Sequence, residues 1–517
     1  SDAKLGGTNF TNSMLLGHQT TGTLNSAEYN VGVGVGTLQA ITSGDNNTAV
    51  GYQALYSNTT GNQNNAFGAL AGQALTTGNY NTAIGYRSLY TSTTGVHNVG
   101  IGNDTLKSTT TGSRNVGIGS GVLNSNTTGS DNIAIGLSAM DQNTTGSSNM
   151  AIGADALYTN STGNYNTAIG RYALNENIDG NSNTAIGYKA GLSNRTGDYN
   201  VAIGYEALYS DKTGYAITAI GYQAARSNTD GLGLVAIGHQ ALFDNTTGGY
   251  NSAVGYNALY NNTTGSYNTC TGYECLATNT TGGSNTATGY RALFANTTGG
   301  NNTALGERAL YANTTGSQNT GIGYQSLYSN TTGASNVAIG YQAAYSTSTS
   351  QENIAIGYKA LFSHSSTALG YGRNVAVGTE ALYANSSGIY NNAFGYRSMY
   401  NNTSGYYNSA FGPRSMLSNT TGDYNTAMGS RSLSINTSGS NNVAIGNNSL
   451  HCFQTGSYNT AIGKSSLSGA GSACGDGSGS SYSTGSYNTA LGAESLNNIT
   501  TASNNVGVGY QALYSNT

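Results

Sequence analysis

The cysteines are the first residues here with the means to do chemistry. In the stretch NTCTGYEC, Cys270 and Cys275 stand five residues apart, and Cys452 and Cys474 make a second candidate pair. Disulfides persist in oxidising compartments, so two bridges would suit an extracellular chain; the alternative is free cysteine acting as a small apolar filler. Asn-x-Ser/Thr sequons recur at Asn58, Asn126, Asn143, Asn245, Asn279, Asn296, Asn313, Asn330, Asn385 and Asn419. They are candidate N-glycosylation sites on an exposed edge, in a compartment that holds the transferase. Read otherwise, N-T-T-G is simply good turn chemistry, and its paired threonines leave O-linked sugars equally open.

Other chemistry finds no support. Five histidines (His18, His97, His239, His364, His451) are scattered, and nothing gathers them around a metal at the short distances coordination needs. Asp131, Glu206 and Glu307 occur singly, without the recurring pair that acid–base catalysis uses. The G-x-G matches in VGVGVG lack the strand–turn–helix setting of a phosphate loop. Calcium-binding repeats place Asp in each turn, whereas these turns carry Thr, and no serine has a local base. The expectation is a chain that is no enzyme and holds no cofactor or metal.

Composition agrees with that economy. Of 517 residues 76 are glycine, one is proline and none is tryptophan, and only 7% are charged, with a net charge of −4. That balance offers no basic footprint for nucleic acid. No apolar run approaches the roughly 20 residues that would span a bilayer, so no membrane insertion is expected in this segment. The chain opens at Ser1 without a signal-peptide pattern and stops mid-coil at Thr517, as a piece of a longer precursor would.

The elements that must position these residues are set by a fixed interval. The glycine closing each A-I-G element falls every 17 residues from Gly17 to Gly357, then at Gly378 after a spacing of 21. The beat resumes through Gly463, jumps 29 residues to Gly492 and ends at Gly509, 29 copies in all. Residues 1–16 are a lead-in; 17–517 form one repeat array with insertions near 358–377 and 468–484. So short and strict a period predicts an all-β fold, a parallel β-roll or β-solenoid of 17-residue coils.

One coil reads N-T-A-I-G-Y-x-A-L-Y-x-N-T-T-G-x-x, numbered here as positions 1 to 17 with the marker glycine at 5. Strands are expected at positions 1–4 and 8–10 and a turn at 12–15. Stacked at about 4.8 Å per coil, the array would make a rod roughly 140 Å long. The position-1 asparagines, replaced only by Ser13, Ile217 and Leu234, would hydrogen-bond from coil to coil. Tyrosines at positions 6, 10 and 17 (Tyr188, Tyr205, Tyr222; Tyr311, Tyr328; Tyr250, Tyr267) would stack as packing ladders or serve as carbohydrate platforms. Strand alternation puts positions 2 and 4 on one face and the small position 3 on the other. Cys270 and Cys275 occupy positions 3 and 8 of one coil, so a bridge between them requires those columns to face each other inside. The Ile column at position 4 then lies outside and needs covering, which favours a parallel homotrimer. The alternative encloses Ile and Leu in a self-sufficient single-chain solenoid.

The element in NVAIGYEAL, residues 200–208, resembles the S-V-A-I-G-x-x-A/S repeat of YadA-like heads in trimeric autotransporter adhesins, and related phage and viral tail-fibre arrays. That repeat is usually shorter, and the added residues fall in the turn. The resemblance implies a left-handed roll, three chains to a rod, at a cell or virion surface.

The leading expectation is an extracellular structural fibre or filament shaft whose partner is itself. The second is an adhesin or tail-fibre shaft binding surface glycans or matrix. A minor third is ice binding, through the position-2 threonines Thr48, Thr82, Thr167 and Thr184, although Phe67, Phe394 and Phe411 fall on the same face.

Overall fold

A computed structural model of the chain describes residues 3–6, 8–17, 23–365, 370–469 and 482–514. The described residues are all-β with no helix, and the chain divides into two units, Ser1–Val254 and Gly255–Thr517. Each unit is a β-solenoid whose coils repeat every 17 residues.

Each coil contributes one three-residue strand, at positions 2–4. In the first unit these run from Met14–Leu16 to Ser252–Val254, and in the second from Thr269–Thr271 to Val506–Val508. Neighbouring strands are parallel and in register, as in Thr167↔Thr184, Ala168↔Ala185 and Ile169↔Ile186. Both insertions leave that register intact: Ile354 pairs with Val375, and Thr460 with Thr489. One strand is antiparallel; Ala3–Leu5 pairs with Met14–Leu16.

The expected second strand at positions 8–10 is not there; those residues form a turn. The cause is a pair of left-handed residues, at positions 7 and 9, such as Arg87 and Leu89 with φ of 51° and 53°. Two reversals of handedness within three residues curl the backbone instead of extending it. Its N–H groups still bond between coils, Arg87 to the Ala69 carbonyl and Leu89 to that of Thr105. A left-handed leucine costs about 1–2 kcal/mol. Burying its side chain returns about 1.5–3 kcal/mol, and Leu89 is buried. Burial wins.

Strand alternation buries position 3 and turns positions 2 and 4 outward, as Thr82–Ile84 shows. The interior therefore holds the small residues of columns 3 and 8 and the leucines of column 9, for example Ala304, Ala309 and Leu310. The single-chain alternative with isoleucine inside is not what forms: the leucine is enclosed and the isoleucine is not. At position 5 the glycine is obligatory. Gly306 has φ of 135°, and a Cβ there would sit 2.7 Å from the carbonyl of Gly323 in the next coil.

Candidate functional site

Two asparagine ladders flank this thin core. At position 1, the Asn98 backbone N–H donates to Oδ1 of Asn81 at 3.0 Å, and Asn115 Nδ2 donates to Oδ1 of Asn98 at 3.1 Å. Asn115 Nδ2 also donates to the Gly129 carbonyl. The expected coil-to-coil amide bonding is thus present, and the buried amides of this column meet partners, as burial requires.

The second ladder, at position 12, overturns the expectation of exposed sequons. Asn58, Asn126, Asn143, Asn245, Asn279, Asn296, Asn313, Asn330, Asn385 and Asn419 are all fully buried. Asn296 Nδ2, the atom that would carry a glycan, donates to Asn279 Oδ1 at 2.7 Å and to the Gly299 carbonyl at 2.9 Å. The turn points its asparagine inward because the backbone there needs an internal partner. The threonine at position 14, such as Thr298, is the residue left exposed.

Where column 12 departs from asparagine, polar atoms lose partners. Thr347 follows Asn330, Phe453 follows Asn436, and both Asn330 Oδ1 and Asn436 Oδ1 are left unpaired. Asp211 takes the same column. Its Oδ1 accepts from Asn228 Nδ2 at 2.8 Å, but its Oδ2 has no partner, and burial pushes its carboxyl up to about 7. His364 is the other titratable guest. Asn385 Nδ2 lies 3.2 Å from its Nδ1 and donates to it, so Nε2 carries the hydrogen towards Ser350 Oγ at 2.9 Å. Burial lowers the His364 imidazole to about 4.

Cys270 and Cys275 form a disulfide with Cα atoms 5.8 Å apart, both side chains fully buried. Columns 3 and 8 do face each other. Cys452 is buried; Cys474 lies outside the described residues.

The remaining histidines and acids are dispersed. His97 stacks on Tyr80 and His239 on Tyr222, with centroids 4.7 and 5.0 Å apart; His451 bonds Ser434, and His18 lies outside the described residues. Asp131 pairs with Arg114, whose hydrogen bond holds the carboxyl below its usual range, and Glu206 pairs with Arg226. Among the described residues no group of three or more His, Cys, Asp or Glu could hold a metal ion. No helix among the described residues is long and apolar enough to cross a membrane.

Three surfaces face outward. The strand face carries columns 2 and 4, and its apolar members stay partly uncovered: Ile84 is 37% exposed, Ile339 36% and Phe67 42%. Columns 6 and 10 carry aromatic ladders. From Phe294 to Tyr400, seven rings of column 10 stack with centroids 5.0–5.4 Å apart and planes within 2–11°. Between the aromatic columns lies column 7, whose cations sit over rings on both sides, as Arg291 does over Tyr290 and Phe294. Ring faces in these ladders are covered by neighbouring rings, so what they present is edges and hydroxyls.

In comparisons with known proteins, no family model and no curated protein matches the chain.

Proposed function

We propose that the chain is a structural filament element, an extracellular shaft at a cell or virion surface, built by several copies packing their strand faces together. The observation that carries this reading is the position-4 stripe. Each unit has a closed interior of alanine, leucine and paired asparagine, yet leaves isoleucine, valine and phenylalanine outward in register on successive coils. Repeated along a unit, these residues form an apolar patch of a kind that monomeric proteins rarely leave uncovered. Three copies around a common axis would cover it.

The uniformity of the coils supports a spacer over a catalyst, because catalysis needs a local departure from the pattern and length does not. Glycan adhesion along the tyrosine ladders is the weaker reading, since a sugar ring stacks on an aromatic face and those faces are taken. Ice binding is weaker again, because Phe67, Phe394 and Phe411 interrupt the flat threonine and isoleucine face. Light scattering on the purified chain tests assembly. The expected mass is three times the 52.7 kDa of one chain; a stable monomer at micromolar concentration would overturn it.

A further inference from the structure

In the second unit column 10 holds a ring in every coil from Phe294 to Tyr400, and column 6 holds one in most coils up to Tyr396. The next three coils have neither tyrosine nor phenylalanine in either column. Position 6 continues as Pro413, Ser430 and Asn447, all without an aromatic ring. Loss of the rings opens a groove of about 490 Å³, lined by Tyr396, Pro413, Arg414, Ser430, Arg431, Asn447 and Asn448. Sites for small ligands span about 300–1,000 Å³, so the size is sufficient.

The groove differs from the rest of the face in its charges. Outside the groove three of the four arginines of column 7 are matched by a carboxylate one coil away: Arg87 by Asp104, Arg291 by Glu274 and Arg397 by Glu380, at 2.8, 2.7 and 2.6 Å. The fourth, Arg308, rests over the Tyr290 ring. Arg414 and Arg431 stand one coil apart in the same column, and neither has an acidic partner among the described residues. Their backbones lie on coils about 4.8 Å apart, so the two guanidiniums can converge on one carboxylate or sulfate through charge-assisted hydrogen bonds.

Its aromatic residue differs too. Within the ladders a tyrosine such as Tyr341 is covered on both faces, by Tyr324 and Tyr358. Tyr396 has Thr379 before it and Pro413 after it, so neither neighbouring coil supplies a ring, and it is 42% exposed. Arg397 occupies one side at 5.2 Å. Asn448, on the same wall, has its Oδ1 buried without a donor; rotation of that amide would offer the oxygen to a ligand hydroxyl.

We propose that this groove binds an acidic saccharide, with a pyranose ring against Tyr396 and its carboxylate or sulfate between Arg414 and Arg431. The site is separate from the strand face, and it stands whether or not the chain trimerises.

Calorimetric titration of the full chain tests it, using an oligogalacturonate, a chondroitin sulfate tetrasaccharide, neutral chitotetraose and sodium sulfate. The expected result is saturable binding of at least one acidic oligosaccharide at one site per chain, with no binding of chitotetraose. Affinity falls at least tenfold in Arg414→Gln/Arg431→Gln and in Tyr396→Ala, and stays unchanged in Arg308→Gln, a cation of the same column far from the groove. Arg431→Gln alone, at an exposed position, gives a several-fold loss without risk to folding. The proposal is overturned if neither acidic sugar binds or chitotetraose binds as well. It is equally overturned if sodium sulfate binds as tightly as the sulfated sugar, or if Arg308→Gln weakens binding as much as the groove variants.

Discussion

The two titratable guests in column 12 give the chain opposite sensitivities to pH. Asp211 has a folded pKa of about 7 against an ordinary value of 3.8, because burial disfavours its charge. The folded state holds its proton more tightly, so stability falls as pH rises from about 4 to 7 and stays low above that. At about 1.4 kcal/mol per pKa unit, Asp211→Asn should therefore stabilise its coils by on the order of 2–4 kcal/mol at pH 8 and by little at pH 4. Slower hydrogen exchange around residue 211 at pH 8, corrected for intrinsic rates, is the expected readout; equal exchange in the two proteins at pH 8 refutes it. His364 runs the other way. Its folded value of about 4 lies below the usual 6.5, so the unfolded chain takes up the proton first and stability is lost as pH falls from about 6.5 towards 4. His364→Asn restores the residue usual in the column, and should protect the coils near 364 from proteolysis at pH 4.5 while changing little at pH 7.5. Neither effect was legible beforehand, since a buried asparagine and a turn asparagine share the same N-T-T-G. The facing of columns 3 and 8 was legible, because Cys270 and Cys275 change together in one coil.

At the scale of the element, the strand was readable and the turn after it was not. A-L-Y has the composition of a strand, but the backbone there follows handedness more than side-chain preference. The signal lay in scattered glycines. Gly36 and Gly121 stand at position 7, Gly72 and Gly191 at position 9 and Gly233 at position 17, with φ from 58° to 74°. Each marks a column that is left-handed wherever the coils are described, including coils where arginine, leucine or tyrosine fills it. Position 5 is stricter, because both its conformation and the neighbouring coil exclude a side chain. Gly306→Ala should cost at least about 2 kcal/mol and open the adjacent coils, seen as new protease cleavage near residues 300–325. Arg308→Gly, which relieves a left-handed residue with φ of 54°, should leave that region as resistant as before. If the alanine variant is equally resistant, the contact is not the constraint described here.

For the whole molecule, the period is the specification. Removing residues 302–318, one full coil, keeps every column aligned, and the shortened chain should retain its far-ultraviolet circular dichroism per residue and its melting temperature within a few degrees. Removing 302–317 shifts every later column by one position, places asparagine where the strand threonine belongs, and should yield aggregation or a broadened transition. The bonds between coils also run along the direction in which the coils stack. Tension applied along that direction loads them in series, so a stretched unit should give way one coil at a time. Each 17-residue coil would release roughly 50 Å of slack, recovered when the load is lifted. The coil holding the Cys270–Cys275 bridge should yield a shorter step, since the five-residue span it closes cannot extend, and reducing agent should restore the full length. A filament built this way behaves as a chain of mechanical fuses, lengthening under a sudden pull where a stiffer fibre would snap.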